Sequence, residues 1–288
     1  MNKIFSAVFG LLFFICASCH AYTNEGFLRV TMIDCGQGDS FLVETHEQNI
    51  LIDTGDVDSK KLIAELNRAG VKRLEKVILT HPHADHIGGV LAVLNNFPVL
   101  KIFDNGINSN SPLFRKYRNA DVPVSKLKAG DLIALGDGVT FHVFYPNQKI
   151  VDAVNFRGQK SDPNNESVVG RLTFGQFGMI FTGDISQAVE EKLLGKRLRA
   201  TALKAPHHGS RTSSSPEFVA SVHPQFIFIS AGKDNRFGHP HKSVLAVYRQ
   251  ITAPENIFCT AYNGSVVIET DGVKTSVKPQ KRCSWVEE

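Results

Sequence analysis

The stretch Thr80-His81-Pro82-His83-Ala84-Asp85-His86-Ile87-Gly88-Gly89 constrains this chain more than any other. Three histidines and one aspartate fall close together, directly after the apolar run Lys76-Val77-Ile78-Leu79, which reads as a short buried strand. The carboxyl end of a strand is where an α/β fold places its chemistry. Imidazole nitrogen and carboxylate oxygen are ligands suited to Zn²⁺, Mn²⁺ or Fe. On extended backbone His81 and His83 point the same way and can grip one ion. Asp85 and His86 follow where the chain turns and can reach a second. Gly88-Gly89 allows close backbone approach and opens the next helix. Histidines scattered over a surface loop would not bring this spacing and this strand–loop–helix setting together.

The chain has 288 residues, 42% hydrophobic and 21% charged, which is ordinary for a globular protein. That length suits one large domain or two small ones; no linker or low-complexity segment divides it, so residues 22–288 read as one domain. A formal charge of +4 permits a phosphate-bearing substrate without arguing for one. Residues 1–21 read as a leader: Lys3, then an apolar run from Ile4 to Ile15 that is too short to span a bilayer, then small residues with cleavage expected after Ala21. The alternative is a lipoprotein signal acylated at Cys19, although Cys16 stands where a Leu-like residue is expected. Either route exports the protein to a periplasmic or secreted location, with no transmembrane span in the mature chain. Of the remaining cysteines, Cys35 reads as a buried small hydrophobe, and Cys259 and Cys283 could pair outside the cytoplasm.

Elsewhere the pattern alternates strands and helices, as an α/β layered fold does. Phe27–Asp34, Phe41–Glu44 and Asn49–Asp53 read as strands, and residues 59–69 as a helix closed by Gly70. Residues 104–122 read as irregular, with a basic cluster Arg115-Lys116-Tyr117-Arg118 that suits a solvated helix face better than a phosphate contact. Strands at 131–135 and 139–144 form a hairpin across Gly136-Asp137-Gly138. Residues 146–164 read as a long loop, and residues 257–261 and 265–270 as a closing hairpin around Asn263-Gly264, followed by a last strand and a basic tail.

Three segments in order, Asp34-Cys35-Gly36-Gln37-Gly38-Asp39-Ser40, Leu51-Ile52-Asp53-Thr54-Gly55 and His81-Pro82-His83-Ala84-Asp85-His86, resemble the metallo-β-lactamase-fold hydrolases. The resemblance is to the branch that holds the hydrolase domain of the DNA-uptake protein ComEC (Rec2-like) and the secreted choline-phosphate esterases. It spans about Phe27 to Thr270. It implies a single-domain αββα sandwich with two divalent metal ions, Zn or Mn, at one edge. It places Asp53, together with Asp39, behind the ligands as supports, and makes Asp184 of Thr182-Gly183-Asp184 the carboxylate that bridges the ions. An Asn-X-X-Ser element matches at Asn164–Ser167, which puts Ser167 at the substrate, and a Gly-His-Pro element puts His239 on the rim. No histidine lies between His142 and His207, which departs from the β-lactam-hydrolysing type and agrees with this branch.

His207 and His208 are adjacent, and on extended backbone they would point apart, so one of them completes the second metal site with Asp85, His86 and Asp184. His208 is the expected ligand and His207 the residue that faces substrate or moves a proton. Lys233 would attract a phosphate. The metal ligands are therefore His81, His83, Asp85, His86, Asp184 and His208; Asp85, Asp184 and His207 carry catalysis; Ser167, His207, His239 and Lys233 meet substrate. The implied reaction is metal-assisted hydrolysis of a phosphodiester, with DNA outside the cytoplasm as first substrate and no stable protein partner. A small choline-phosphate-type ester is the alternative, and a lactone or β-lactam is less favoured.

Overall fold

The computed structural model describes residues 26–157 and 160–282. The expected leader with Cys19, and Cys283 with its expected pairing to Cys259, lie outside the described residues. Among those described, the strands form two sheets. The first contains β1 (Leu28–Met32), β2 (Phe41–Glu44), β3 (Asn49–Ile52), β4 (Lys76–Ile78), β5 (Ile102–Asp104) and β6 (Val124–Lys126). The second contains β7 (Leu132–Ala134), β8 (Thr140–Tyr145), β9 (Val169–Phe174), β10 (Phe177–Phe181), β11 (Ala202–Lys204), β12 (Phe226–Ile229) and β13 (Ile257–Cys259). The chain then returns to the first sheet with β14 (Val266–Thr270) and β15 (Thr275–Pro279), giving the order β15-β14-β1-β2-β3-β4-β5-β6 against β13-β12-β11-β10-β9-β8-β7.

The layering follows from the period-two alternation of apolar side chains. Leu28, Val30 and Met32, Phe41 and Val43, and Ile50 and Ile52 face the second sheet, where Phe177, Met179, Phe181 and Phe228 meet them in one core. The intervening Leu42, Leu51 and Val77 face the other way and pack on α1 (Lys60–Arg68), α3 (Val90–Asn96) and α4 (Pro112–Arg118). Ile180, Leu203, Ile227 and Ile229 likewise pack on α6 (Gln187–Leu193), α7 (Pro216–Val222) and α8 (Lys242–Arg249). The result is helix, sheet, sheet, helix: the expected αββα sandwich as a single domain. In the basic cluster, Tyr117 is a core residue; its hydroxyl donates to Asp104 at 2.9 Å.

Residues 104–122 are not all irregular, since α4 occupies Pro112–Arg118 behind the Ser111 cap, and two further readings of the elements are corrected. The segment after Pro146 is not all loop: α5 runs Gln148–Arg157, with Asn147 Oδ1 accepting from Ile150 N at 3.1 Å. Its only fully buried residue is Val151, so its apolar stripe is too thin to announce a helix. Nor do residues 257–270 form a hairpin. β13 lies parallel to β12 in the second sheet and β14 pairs with β1 in the first. Between them Thr260–Asn263 makes a helical turn, α9, and Asn263 Oδ1 accepts from Cys259 N, so Asn263-Gly264 is a crossover between sheets. The closing hairpin is β14–β15.

Strands β3, β4 and β5 run parallel, as do β10, β11, β12 and β13. The loops that leave the carboxyl ends of β3, β4, β10, β11 and β12 carry Asp53, residues 80–89, Asp184, His207-His208 and the segment from Ser230 to His239. These meet at one edge of the sandwich. No helix among the described residues is long and apolar enough to cross a membrane.

Candidate metal centre

Ligand atoms of Asp85, His86, Asp184 and His208 all lie within 4.8 Å of one another. His86 begins from α2 (Ala84–Ile87), which opens on His83; Asp184 and His208 come from the other sheet. Asp184 Oδ2 is 3.2 Å from both His86 Nε2 and His208 Nε2, and Asp85 Oδ2 is 3.5 Å from His208 Nε2. Such separations are close to the edges, about 3.3 Å, of a tetrahedron of N and O ligands at zinc bond lengths. His81, His86 and His208 each bury an Nε2 that has no hydrogen-bond partner. Buried polar atoms without partners are costly. Three imidazole nitrogens left open beside two carboxylates are the donor set that a divalent cation satisfies.

The far side of each ring explains its aim. Asp53 Oδ2 lies 2.8 Å from His86 Nδ1, and the same carboxylate accepts from Thr80 N and Thr80 Oγ1 at 2.7 Å. His208 Nδ1 lies 2.8 Å from the Ser230 carbonyl, which can only accept. In both rings the proton is thereby held on Nδ1 and the Nε2 lone pair faces the cluster. His81 Nδ1 sits 3.2 Å from both Ser167 Oγ and Thr80 Oγ1. Asp39, Asp53 and His86 also lie close together. Asp53 is saturated by donors and Asp39 is bonded to Lys204, so that trio supports the ligands and is not a second ion seat.

The expected residues fall into three groups. His86, Asp85, Asp184 and His208 form the cluster. His81 stands beside it, its ring 4.1 Å from that of His86, and half-buried His83 is 4.8 Å from His81; neither joins a cluster of three or more such ligands among the described residues. His207 and His239 stand at the open side, their rings 5.7 Å apart, with His207 Nε2 3.8 Å from Asp184 Oδ2. Lys233 is exposed on the adjoining loop. Ser167 is elsewhere than expected. It is fully buried, its hydroxyl donates to the Asn164 carbonyl and accepts from Asp184 N, and so the structure places it behind the ligands and not at the substrate.

The backbone at the paired histidines is also corrected. His207, His208 and Gly209 all have positive φ (50°, 55° and 80°), so this is a left-handed turn and not extended chain. Non-glycine residues in this region store strain and persist only where the surroundings hold them. Backbone bonds do that holding: His207 N donates to the Gly183 carbonyl at 3.2 Å, and the Gly209 carbonyl accepts from His241 N at 3.0 Å. The Gly-Gln-Gly-Asp segment is more than a turn, because Gly38 at φ 110° lies against the Asp85 carbonyl, where a Cβ would sit 2.0 Å from the oxygen.

Sequence reasoning missed Lys204. It is 1% exposed, and its ammonium is ion-paired with Asp39 Oδ2, lies 3.4 Å from Asp184 Oδ1 and donates to the Gly183 carbonyl at 2.8 Å. A charged residue at the end of the apolar run Ala202-Leu203 was the available signal, since a buried lysine needs an acid. Burial opposes the lysine's charge, but Asp39 and Asp184 hold its pKa above the usual value. Burial alone would raise Asp184, yet His208, His86 and Lys204 hold it well below the carboxylate range. Burial likewise opposes charge on His86 and His208, but Asp184 with Asp53, and Asp184 with Asp39, raise the two rings well above ordinary. His81 is held well below the ordinary value by burial and then by the neighbouring His86 imidazole. The site is therefore a concentration of carboxylate charge that protons or a divalent cation must balance.

Comparison with known proteins agrees with this geometry. The metallo-beta-lactamase superfamily model matches residues 33–224. The chain belongs to the metallo-beta-lactamase superfamily. Within it, the chain is 31% identical over 269 residues to ComE operon protein 3 of Bacillus subtilis, covering 85% of this chain and 33% of that protein. It is 35% identical over 225 residues to competence protein ComA of Neisseria gonorrhoeae, covering 76% of this chain and 29% of that one. The chain thus spans about a third of the length of these relatives. The metallo-beta-lactamase fold protein YhfI of Bacillus subtilis is similar in structure, with a TM-score of 0.56 at 13% identity over 85% of this chain and all of that one. The superfamily assignment and the clustered ligand set together mark this edge of the sandwich as a metal-binding site, and the chain's similarity runs to ComEC-like competence proteins.

Proposed function

We propose that this protein is an exported phosphodiesterase that hydrolyses DNA outside the cytoplasm, using two divalent ions, Zn or Mn. The observation that carries the chemistry is the convergence of Asp85, His86, Asp184 and His208 with unpartnered, buried imidazole nitrogens. DNA as substrate rests on the resemblance to the competence proteins. When bound, divalent ions supply Lewis acidity and make a coordinated water acidic. The chain's residues do the rest. Asp184, with an oxygen 3.2 Å from each of two ring nitrogens, would hold metal together with Asp85, His86 and His208, and His81 and His83 would supply further ligands. Asp53 and the Ser230 carbonyl orient His86 and His208. His207 is held neutral mainly by burial, so it can accept a proton from the attacking water or hydrogen-bond a phosphoryl oxygen. His239, its pKa pushed down to about 4 by burial and by His208, faces the same opening as a neutral contact.

The test is hydrolysis of linear single- and double-stranded DNA and of bis(p-nitrophenyl) phosphate by purified protein with Mn²⁺ or Zn²⁺, with chelator, and with Asp85→Ala. DNA cleavage that requires metal and falls at least about 100-fold in the variant supports the reading. Cleavage of the small diester alone moves the assignment to a small phosphoester of choline-phosphate type. Inactivity on both with metal bound removes the phosphodiesterase reading.

A further inference from the structure

A cavity of about 450 Å³ opens beside the metal centre, and His239 belongs to its wall. The His239 ring lies nearly parallel to that of His208, 6.2 Å away at 24°, so the cavity adjoins the metal centre directly. Lys233, Lys242 and Arg249 line it against one carboxylate, that of Asp234. Among the described residues none of the three makes an ion pair. Two large aromatic side chains stand in solvent around it: Tyr262 in its wall, 43% exposed, and Phe237 on the same loop as Lys233, 46% exposed. Phe237 lies nearly parallel to His239 at 5.5 Å, with the Arg236 guanidinium 4.9 Å from its ring centre.

The loop that carries these groups is fixed in advance. Asn235 donates from Nδ2 to the carbonyls of Gly232 and His239, at 2.9 and 2.7 Å, and accepts at Oδ1 from the amides of Phe237 and His239. A single half-buried amide thus sets Lys233, Phe237 and His239 relative to one another. Cations interleaved with exposed aromatic faces are the chemistry that holds unpaired nucleic acid, with phosphates on the cations and bases stacked on the rings. A duplex hides the base faces and cannot use those rings.

We propose that this cavity and its rim seat the single-stranded DNA that flanks the phosphodiester at the metal centre, with phosphates on Lys233, Lys242 and Arg249 and bases on Phe237 and Tyr262. The proposal deepens the nuclease reading, and its test is by binding so that the two can fail separately. Fluorescence anisotropy of the metal-loaded protein is measured with a labelled, hydrolysis-resistant phosphorothioate oligonucleotide of about 20 nucleotides, single-stranded and as a duplex. The single strand is expected to bind at least about tenfold more tightly than the duplex. Lys242→Ala with Arg249→Ala weakens strand binding about tenfold and flattens the plot of log Kd against log salt by about 0.7 per charge removed. Phe237→Ala with Tyr262→Ala weakens it about tenfold at unchanged salt slope. Lys72→Ala, which removes an exposed charge at the opposite end of β4, binds as the parent does. Strand binding that survives both double variants, duplex binding as tight as strand binding, or no binding at all overturns the proposal. Strand binding lost in the variants of a protein that does not cleave DNA upholds it and removes only the nuclease activity.

Discussion

At the scale of single residues, Lys204 is the side chain on which the unloaded site depends. Its ammonium separates Asp39 from Asp184 in a place that water does not reach. Lys204→Met keeps the stem and leaves two buried carboxylates facing one another. Removing one partner of a buried ion pair costs on the order of 3–5 kcal/mol, so urea unfolding of the chelated variant is expected at a clearly lower midpoint than that of the parent. Loading with metal should narrow the gap, because the ion takes over the neutralisation. Equal midpoints in chelator would show that the lysine is not the counter-charge. The contrast with the histidine motif shows what one sequence can reveal. His81, His83, Asp85 and His86 declare themselves by type and spacing, because ligand chemistry is a local property. Lys204 acquires its role only when the two sheets close, and Asp39 was legible only through the family resemblance. His207 and His208 were misread as extended because nothing in an imidazole announces a left-handed backbone; only Gly209 hinted at it.

At the scale of elements, α7 shows both what local chemistry achieves and where it stops short. Ser215 Oγ accepts from Phe218 N, and Pro216 occupies the first turn, where it needs no donor. The far end closes on His223 at φ 49°, ψ 56°, a left-handed cap that glycine takes without penalty. His223 is exposed. His223→Gly is therefore expected to stabilise by about 0.5–1 kcal/mol, seen as a rise of about 2 °C in the calorimetric unfolding midpoint. A fall would mean that the ring makes a contact worth more than the strain. Strongly patterned elements were legible: β1 and α1 because one face of each is apolar at a fixed period, and β2 to β4 because they are short runs that are apolar on both faces. Helix α5, with Val151 alone fully buried, was not. Asn263-Gly264 carries good hairpin chemistry, yet its flanking strands join different sheets, since the apolar faces of β13 and β14 each find an open edge elsewhere.

At the scale of the molecule, the metal centre is a joint. Asp85 and His86 arrive from the first sheet, Asp184 and His208 from the second. A bound ion ties the two halves, and binding to the folded state alone adds about 1.4 kcal/mol for each tenfold of free metal above Kd. The thermal midpoint should fall on chelation and climb with added Zn²⁺ or Mn²⁺; a midpoint indifferent to both would mean that the cluster holds no ion. The return of the chain to its first sheet has another effect. Strand β1 pairs with β14, and Arg29 meets the carboxylate of Glu269, 240 residues away. A ribosome adding about 5–20 residues per second needs between about ten seconds and a minute to cover that distance. Throughout that interval β1 is a free edge on a nascent sheet, exposed to other chains. Arg29 on its solvent side, with Glu44 of β2 3.8 Å away and later joined by Glu269, keeps charged groups where an unfinished polypeptide is most prone to aggregate.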